Sequence, residues 1–275
     1  MKMQLVKEIG QKKYKGKRIV ALNFGIDVLF ATDKRDLMGR EFYRKIEEYV
    51  MRIDKFERNL MRQRIKPTRS KKYRKLQNRL KAYMKNEIRR IINRVVELYR
   101  PKTIVVENLK EFLREIINKF SKNVKRILMR FGLGEIRGKL KELEEEYGIE
   151  VVEINPAYSF QSCSSCGYVD KGNRKRREEI ECRVCGKKLH VDVNGSLNLK
   201  ERFLEGWSRL RCGKEQAIRR QVQNFLNNLF SERFKRLGSK ARGLLAQNPY
   251  FLRILSDSPK PEAWTIVHSN DISPC

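Results

Sequence analysis

The chain has 275 residues and carries 63 Lys and Arg against 33 Asp and Glu, a formal net charge of +30. An apolar share of 40% is enough to build a core, which excludes wholesale disorder. The longest apolar run, from Ile19 to Ala31, is broken by Asn23 and Asp27 and is too short for a bilayer. Residues 1–17 are polar and lysine-rich, without the apolar stretch of a secretory signal. A cytoplasmic protein with no membrane partner is expected, nucleoid-associated if the source is prokaryotic. An excess of this size favours a polyanionic partner, and nucleic acid is the default.

Residues 1–16 read as a basic leader. KRIVALNF (17–24) has strand composition, a turn follows around Gly25-Ile26-Asp27, and VLFATD (28–33) predicts a second strand. The two are expected to form the opening hairpin of a sheet. Apolar residues at Phe42, Ile46, Val50, Ile53, Phe56 and Leu60 predict a helix over about 40–65. KPTRSKK breaks it. A second helix to about Tyr99 carries Tyr73, Leu80, Met84, Ile88, Ile92 and Val95 on one face, so the pair should pack antiparallel over 40–99. Tyr73 and Tyr83 lie on this stripe and are expected in the core, not as platforms for bases.

Residues 51–100 hold 18 Lys and Arg against four acids. A charge run is usually a solvated helix face, but this surplus is too one-sided for pairing along the helix to neutralise. A phosphate track is expected from Arg62, Arg64, Lys66, Arg69, Lys71, Lys72, Arg74, Lys75 and Arg79.

Pro101 stops the second helix, and TIVVENL predicts a buried strand ending in Glu107. A weakly patterned stretch to about Asn123 leads into a helix closed by Tyr147-Gly148, where glycine suits the cap. IEVVEI is the next strand. A cysteine module occupies 161–188, and HVDVNGSLNLKERFLEGW predicts a helix opening near Asp192. Residues 206–275 read as a helical tail to which no chemistry is assigned.

Four of the six cysteines, Cys163, Cys166, Cys182 and Cys185, form C-x2-C-x15-C-x2-C. In a reducing compartment that spacing reads as a metal site, zinc before iron. Four thiolates complete a tetrahedral shell, so the zinc would be structural, with no open position for a catalytic water. Between the two pairs, KGNRKRR offers Lys171, Arg174, Lys175, Arg176 and Arg177, either as phosphate contacts or as an exposed loop. Cys212 and Cys275 lack spaced partners and read as ordinary thiols.

Two acids stand at element ends: Glu107 closes a strand and Asp192 opens a helix. Separately they read as a loop acid and a helix N-cap. Their order along a hairpin, helices, strand, helix, strand and helix resembles the way ribonuclease-H-like nucleases gather carboxylates around two Mg²⁺.

IVVENL, followed by NPAYSFQSCSSCGYVDKGNRKRREEIECRVCGKKLHVDVNGSLNL, resembles the RuvC-like and zinc-ribbon region of TnpB, the transposon-encoded RNA-guided DNA endonucleases related to type V CRISPR effectors. The resemblance covers about 17–205. It implies an α/β fold: a ribonuclease-H-like (RuvC) mixed sheet with helices on both faces, an inserted zinc ribbon and a helical C-terminal tail. The RuvC-like part would span 17–160 and 189–205, with the ribbon at 161–188. The resemblance makes Glu107 the second catalytic acid and Asp192 the third, and the four spaced cysteines zinc ligands. It implies guide-like RNA and DNA as partners, and Mg²⁺ where the nuclease is competent.

The sequence departs from that pattern at two points. The family's first acid stands in Gly-Ile-Asp-Leu-Gly, and an ungapped alignment puts Ala21-Leu22-Asn23-Phe24-Gly25 there. Asparagine brings a carbonyl oxygen without charge. A rival register offers Asp27 from Gly25-Ile26-Asp27, but Leu29 then stands where glycine is wanted. The second departure is length, because the family's guide- and target-recognising region usually precedes the RuvC-like part. A second protein subunit supplying that region is one explanation. Two functions follow: RNA-guided DNA binding on an impaired nuclease scaffold, or a Mg²⁺-dependent endonuclease using Asp27, Glu107 and Asp192.

Overall fold

Strand β1 (Arg18–Phe24) carries an almost unbroken apolar run because both of its faces are covered. It lies at the centre of a five-stranded mixed sheet ordered β3-β2-β1-β4-β5 in the computed structural model, which describes residues 14–25, 27–108 and 121–206. Strand β2 (Phe30–Thr32) pairs antiparallel with β1, and the two-residue β3 (Leu37–Met38) pairs antiparallel with β2. On the other side β4 (Pro101–Glu107) runs parallel to β1, and β5 (Glu150–Ile154) parallel to β4. The expected hairpin is present, though β2 is shorter than VLFATD suggested because Asp27–Leu29 bend before pairing begins.

Alternation along the strands divides the core. Val20, Leu22, Phe24, Ile104 and Val106 face a helical layer containing α1 (Phe42–Arg62) and α2 (Lys71–Tyr99). Ala21, Val105, Val152 and Ile154 face Leu199 of the last helix. The α1–α2 pair is antiparallel. Tyr73, early in α2, donates to Glu57 late in α1 at 2.9 Å, and Tyr83 stacks on Phe42 at the start of α1. Both tyrosines therefore lie against the core as expected. Ser70 opens α2 by accepting from the Tyr73 amide, and Arg100 closes it in the left-handed region at φ 44°.

The helix expected before Gly148 is present as a continuous run with one π-helical turn inside it. Helix α3 (Lys122–Ile127) passes through a π-helical turn, Leu128–Gly132, into α4 (Leu133–Tyr147). Gly148 then ends α4 at φ 64°, the conformation its missing Cβ permits. In the cysteine module, β6 (Glu179–Glu181) and β7 (Lys188–His190) form a separate antiparallel pair, and α5 (Val191–Leu204) follows. The leader up to residue 13, most of the weak stretch before Asn123, and the tail with Cys212 and Cys275 lie outside the described residues. Among those residues no helix is long and apolar enough to cross a membrane.

Candidate functional site

The parallel register sets Leu22 opposite Val106, so β1 and β4 finish side by side and present Asn23 and Glu107 at one end of the sheet. Helix α5 brings Asp192 to the same place. All three side chains are buried, Asn23 completely. Glu107 Oε1 accepts the Phe24 amide proton at 2.5 Å, which ties the two strand ends together. The Asn23 amide nitrogen donates to the Phe24 carbonyl at 3.0 Å and to Asp192 Oδ1 at 3.4 Å. Its own Oδ1 is buried with no hydrogen-bond partner among the described residues.

Two glycines leave room for this cluster. A Cβ on Gly25 would stand 2.4 Å from Asp192 Oδ2, and one on Gly195 would stand 2.6 Å from Asn23 Oδ1. Neither distance is tolerable for a real side chain.

Asp192 is not the cap of its helix. His190 takes that position, and its Nδ1 accepts the Asp192 amide proton at 3.2 Å. Burial holds the His190 pKa below its ordinary value, which keeps the imidazole neutral and Nδ1 free to accept. The Asp192 carboxylate is thereby left to face the sheet. The phenol of Tyr43 is pushed far above its usual range, first by burial and then by the charges of Asp192, Glu107 and Asp27. Asp27 thus lies in the same electrostatic neighbourhood, but its carboxylate holds Arg177 of the cysteine module at 2.7 Å.

One stripe of α5 grips the segment that leads into the cysteines. The amides of Asn194 and Asn198 both donate to the carbonyls of Ser159 and Ser162, at 2.8–2.9 Å. Asn194 Oδ1 also accepts the Ser164 amide proton. One turn further on, Arg202 is 1% exposed and donates to the carbonyls of Asn155 and Ala157 at 2.6 and 2.7 Å. Burial lowers its pKa to about 10. The spacing i, i+4, i+8 places these three polar side chains on one helical face, against the backbone that joins β5 to the cysteines. Regular polar positions in an otherwise buried helix were the signal for this role, and sequence reasoning missed it. It also missed Lys200, which pairs with the buried Asp33 at 2.7 Å and pins α5 to the end of the β1–β2 hairpin.

The four spaced cysteines converge, their sulfurs all within 4.8 Å of one another. Cys163 and Cys185 are 3.6 Å apart, and Cys166 and Cys182 3.5 Å. A tetrahedron of zinc–sulfur bonds about 2.3 Å long has edges of about 3.8 Å, so the donor set fits one such ion.

The cations divide sharply. Arg62, Arg64, Lys66, Arg69, Lys71, Lys72, Arg74, Lys75 and Arg79 are exposed at the end of α1, the connection and the start of α2. None makes an ion pair among the described residues. Farther along α2, Arg89, Arg90 and Arg94 are paired with Glu142, Glu87 and Glu97. In the module, Arg177 is held by Asp27, Arg176 by Glu179, and Arg174 lies over the Phe160 ring and donates to the Arg177 carbonyl. Lys171 and Lys175 are exposed.

Residues 134–199 match the family described as Cas12f1-like, TNB domain. The chain is 34% identical over 119 residues to the CRISPR-associated endodeoxyribonuclease Cas12f1 of Syntrophomonas palmitatica, covering 39% of this chain and 22% of that one. It is 32% identical over 83 residues to the putative RNA-guided DNA endonuclease InsQ of Escherichia coli K12, covering 30% and 20%. TnpB-like protein L79 of Acanthamoeba polyphaga mimivirus matches at 26% over 183 residues, 66% of this chain and 33% of that one. The chain thus spans a fifth to a third of these relatives. A Cas12f1–sgRNA–target DNA complex is similar with TM-score 0.48 and 18% identity, over 66% of this chain and 49% of that one.

Proposed function

We propose that this chain belongs to the TnpB family and binds nucleic acid as an RNA-guided DNA-binding protein on a RuvC-like scaffold whose nuclease centre is disarmed. In this reading the RuvC-like unit comprises 17–160 and 189–205, with a zinc ribbon at 161–188 held by Cys163, Cys166, Cys182 and Cys185. Zinc there is structural: it fixes the module from which α5 departs.

The observation that carries the reading is the Asn23 amide. Its N–H group donates toward Asp192 Oδ1, on the side where a nuclease of this type needs a carboxylate to share a cation with Asp192. A donor cannot ligate Mg²⁺, and its acceptor oxygen is turned toward Gly195. Glu107 Oε1 is occupied by the Phe24 amide. These residues do not fit a two-Mg²⁺ site, and no hydrolytic step is assigned to them. Asp27 is a poor replacement for the missing acid because its carboxylate is engaged by Arg177.

Binding itself rests on the nine exposed cations of the α1–α2 end. Base pairing between guide and target would supply the choice of sequence, while these side chains contact phosphates. Relatives named as RNA-guided endonucleases support RNA and DNA as the partners.

The test is Mg²⁺-dependent cleavage of single- and double-stranded DNA by the protein with its co-purifying RNA retained. Wild type, Asn23→Asp and Glu107→Gln are run together with a duplex-binding assay. The reading expects binding without cleavage by wild type, and cleavage gained by Asn23→Asp. Cleavage by wild type that Glu107→Gln abolishes would instead establish an endonuclease. Failure to bind any nucleic acid would overturn the reading altogether.

A further inference from the structure

Away from the carboxylate cluster, a cavity of about 490 Å³ opens between α1, α2, α3 and the π-helical turn. That volume lies within the usual range for small-ligand sites, roughly 300–1,000 Å³. Its floor is apolar, formed by Val50, Ile53 and Leu80. Two carboxylates stand in its wall, Asp54 and Glu57, one helical turn apart on α1. In a chain charged to +30, neither forms an ion pair among the described residues. Each is instead held by a neutral donor through one oxygen. Asn123 donates to Asp54 Oδ2 at 2.8 Å, and the Tyr73 hydroxyl donates to Glu57 Oε2 at 2.9 Å, with Gln77 donating in turn to Tyr73. Asp54 Oδ1 and Glu57 Oε1 accept no hydrogen bond among the described residues and are the oxygens offered to a ligand.

The opposite charge is present on the same wall in Lys81 and Arg126, both exposed. Phe131 completes the lining, brought there by the π turn, a rare conformation that recurs at functional sites. Lys81 Nζ lies 4.5 Å from the centre of its ring.

A ligand matching this wall needs two hydrogen-bond donors for the free carboxylate oxygens, a flat apolar body and a negative group for the cations. A polyamine supplies the first but is repelled by Lys81 and Arg126. Among nucleobases only guanine presents two adjacent donors on its Watson–Crick edge, the ring N–H and the exocyclic amine. We propose that the cavity formed by Asp54, Glu57, Arg126 and Phe131 binds a guanine nucleotide, its Watson–Crick edge on the two carboxylates and its phosphate on Lys81 or Arg126. The source is either a free nucleotide or an unpaired guanosine in a bound strand, since both offer the same chemistry. This site goes beyond the proposed function and does not require the carboxylate cluster at the end of the sheet.

The test measures binding of GMP, IMP and AMP to the full chain by titration calorimetry. In parallel it compares an all-uridine RNA oligomer with the same oligomer carrying one central guanosine. GMP should bind at least about tenfold more tightly than AMP, and IMP, which lacks the exocyclic amine, should lose most of that advantage. Asp54→Asn and Glu57→Gln should each abolish the preference while leaving binding of all-uridine RNA unchanged, which also shows that the variants are folded. Preference for the guanosine-containing oligomer identifies an extruded base as the source; preference for GMP alone identifies a free nucleotide. Equal affinity for GMP and AMP, together with equal affinity for the two oligomers, overturns the proposal, even if the uridine oligomer binds well. Loss of all-uridine binding with GMP preference retained would instead count against the nucleic-acid reading alone.

Discussion

The amide of Asn23 donates to Asp192 Oδ1 across 3.4 Å, joining residues 169 positions apart at the end of the sheet. An aspartate in its place would set two carboxylates against each other in a buried site. Asn23→Asp is therefore expected to lose about 1–3 kcal/mol in metal-free buffer. Millimolar Mg²⁺ should restore its melting temperature while leaving that of wild type unmoved. Thermal melts with and without the ion check this independently of any activity.

The carbonyls of Ser159 and Ser162 each receive two donors, one from Asn194 and one from Asn198. Removing either asparagine leaves both carbonyls bonded, so Asn198→Ala should cost only about 1 kcal/mol. The double replacement takes away both donors from each carbonyl and should cost more than the sum of the single effects. Denaturant titrations of the four proteins measure the coupling; strict additivity would contradict the shared-acceptor arrangement.

Arg89 bridges α2 to Glu142 on α4, its Nη1 donating at 2.7 Å. The hydrogen bond from Arg89 holds the Glu142 carboxyl below its ordinary pKa. A depressed acid contributes stability above its unfolded pKa, near 4.5, and loses it as pH falls through the lower folded value. Because both partners are about a third exposed, the contribution is expected to be no more than about 1 kcal/mol. Glu142→Gln should flatten that part of the acid limb and leave stability below the folded pKa unchanged, as followed by urea midpoints against pH.

One zinc per chain is expected by metal analysis. Chelation should expose the amides of 161–190 to hydrogen exchange while the β1–β4–β5 core stays protected, because the apolar faces of that core are packed without the ribbon. Cys182→Ser should produce the same local pattern.

Neutralising Arg64, Lys66 and Arg69 together should weaken binding to duplexes of any sequence to a similar extent. The slope of log affinity against log salt should shrink by about 0.9 for each phosphate that these side chains no longer neutralise. Filter binding over a salt series checks both effects.

The buried strands were legible from residue order because runs such as TIVV have nothing polar to interrupt them, whereas the parallel pairing of β1, β4 and β5 emerged only in the fold. The cysteine cluster was legible because ligand spacing survives without knowledge of the fold. Asn23 was expected at the acid position, but its hydrogen bond to Asp192 depends on side-chain rotation, which spacing does not encode. His190 was passed over as a cap because an aspartate two residues later matched the usual preference. Phe131 and the π turn were invisible, since apolar periodicity runs through Leu128–Gly132 with no breaker to mark the change. Asp33 and Lys200 carry no signal in the sequence, and only the packing of α5 makes them a pair.

Helix α5 covers the sheet face opposite α1 and α2, with Leu199 against Ala21, Val105 and Val152. On the ribosome, β1 is made long before its cover: Asp192 is added 169 residues after Asn23. At about 5–20 residues per second that interval lasts roughly 10–30 seconds, during which an apolar sheet face waits for the helix that shields it. Premature termination within the cysteine module would make that exposure permanent, leaving a nascent product that chaperones must hold or proteases remove.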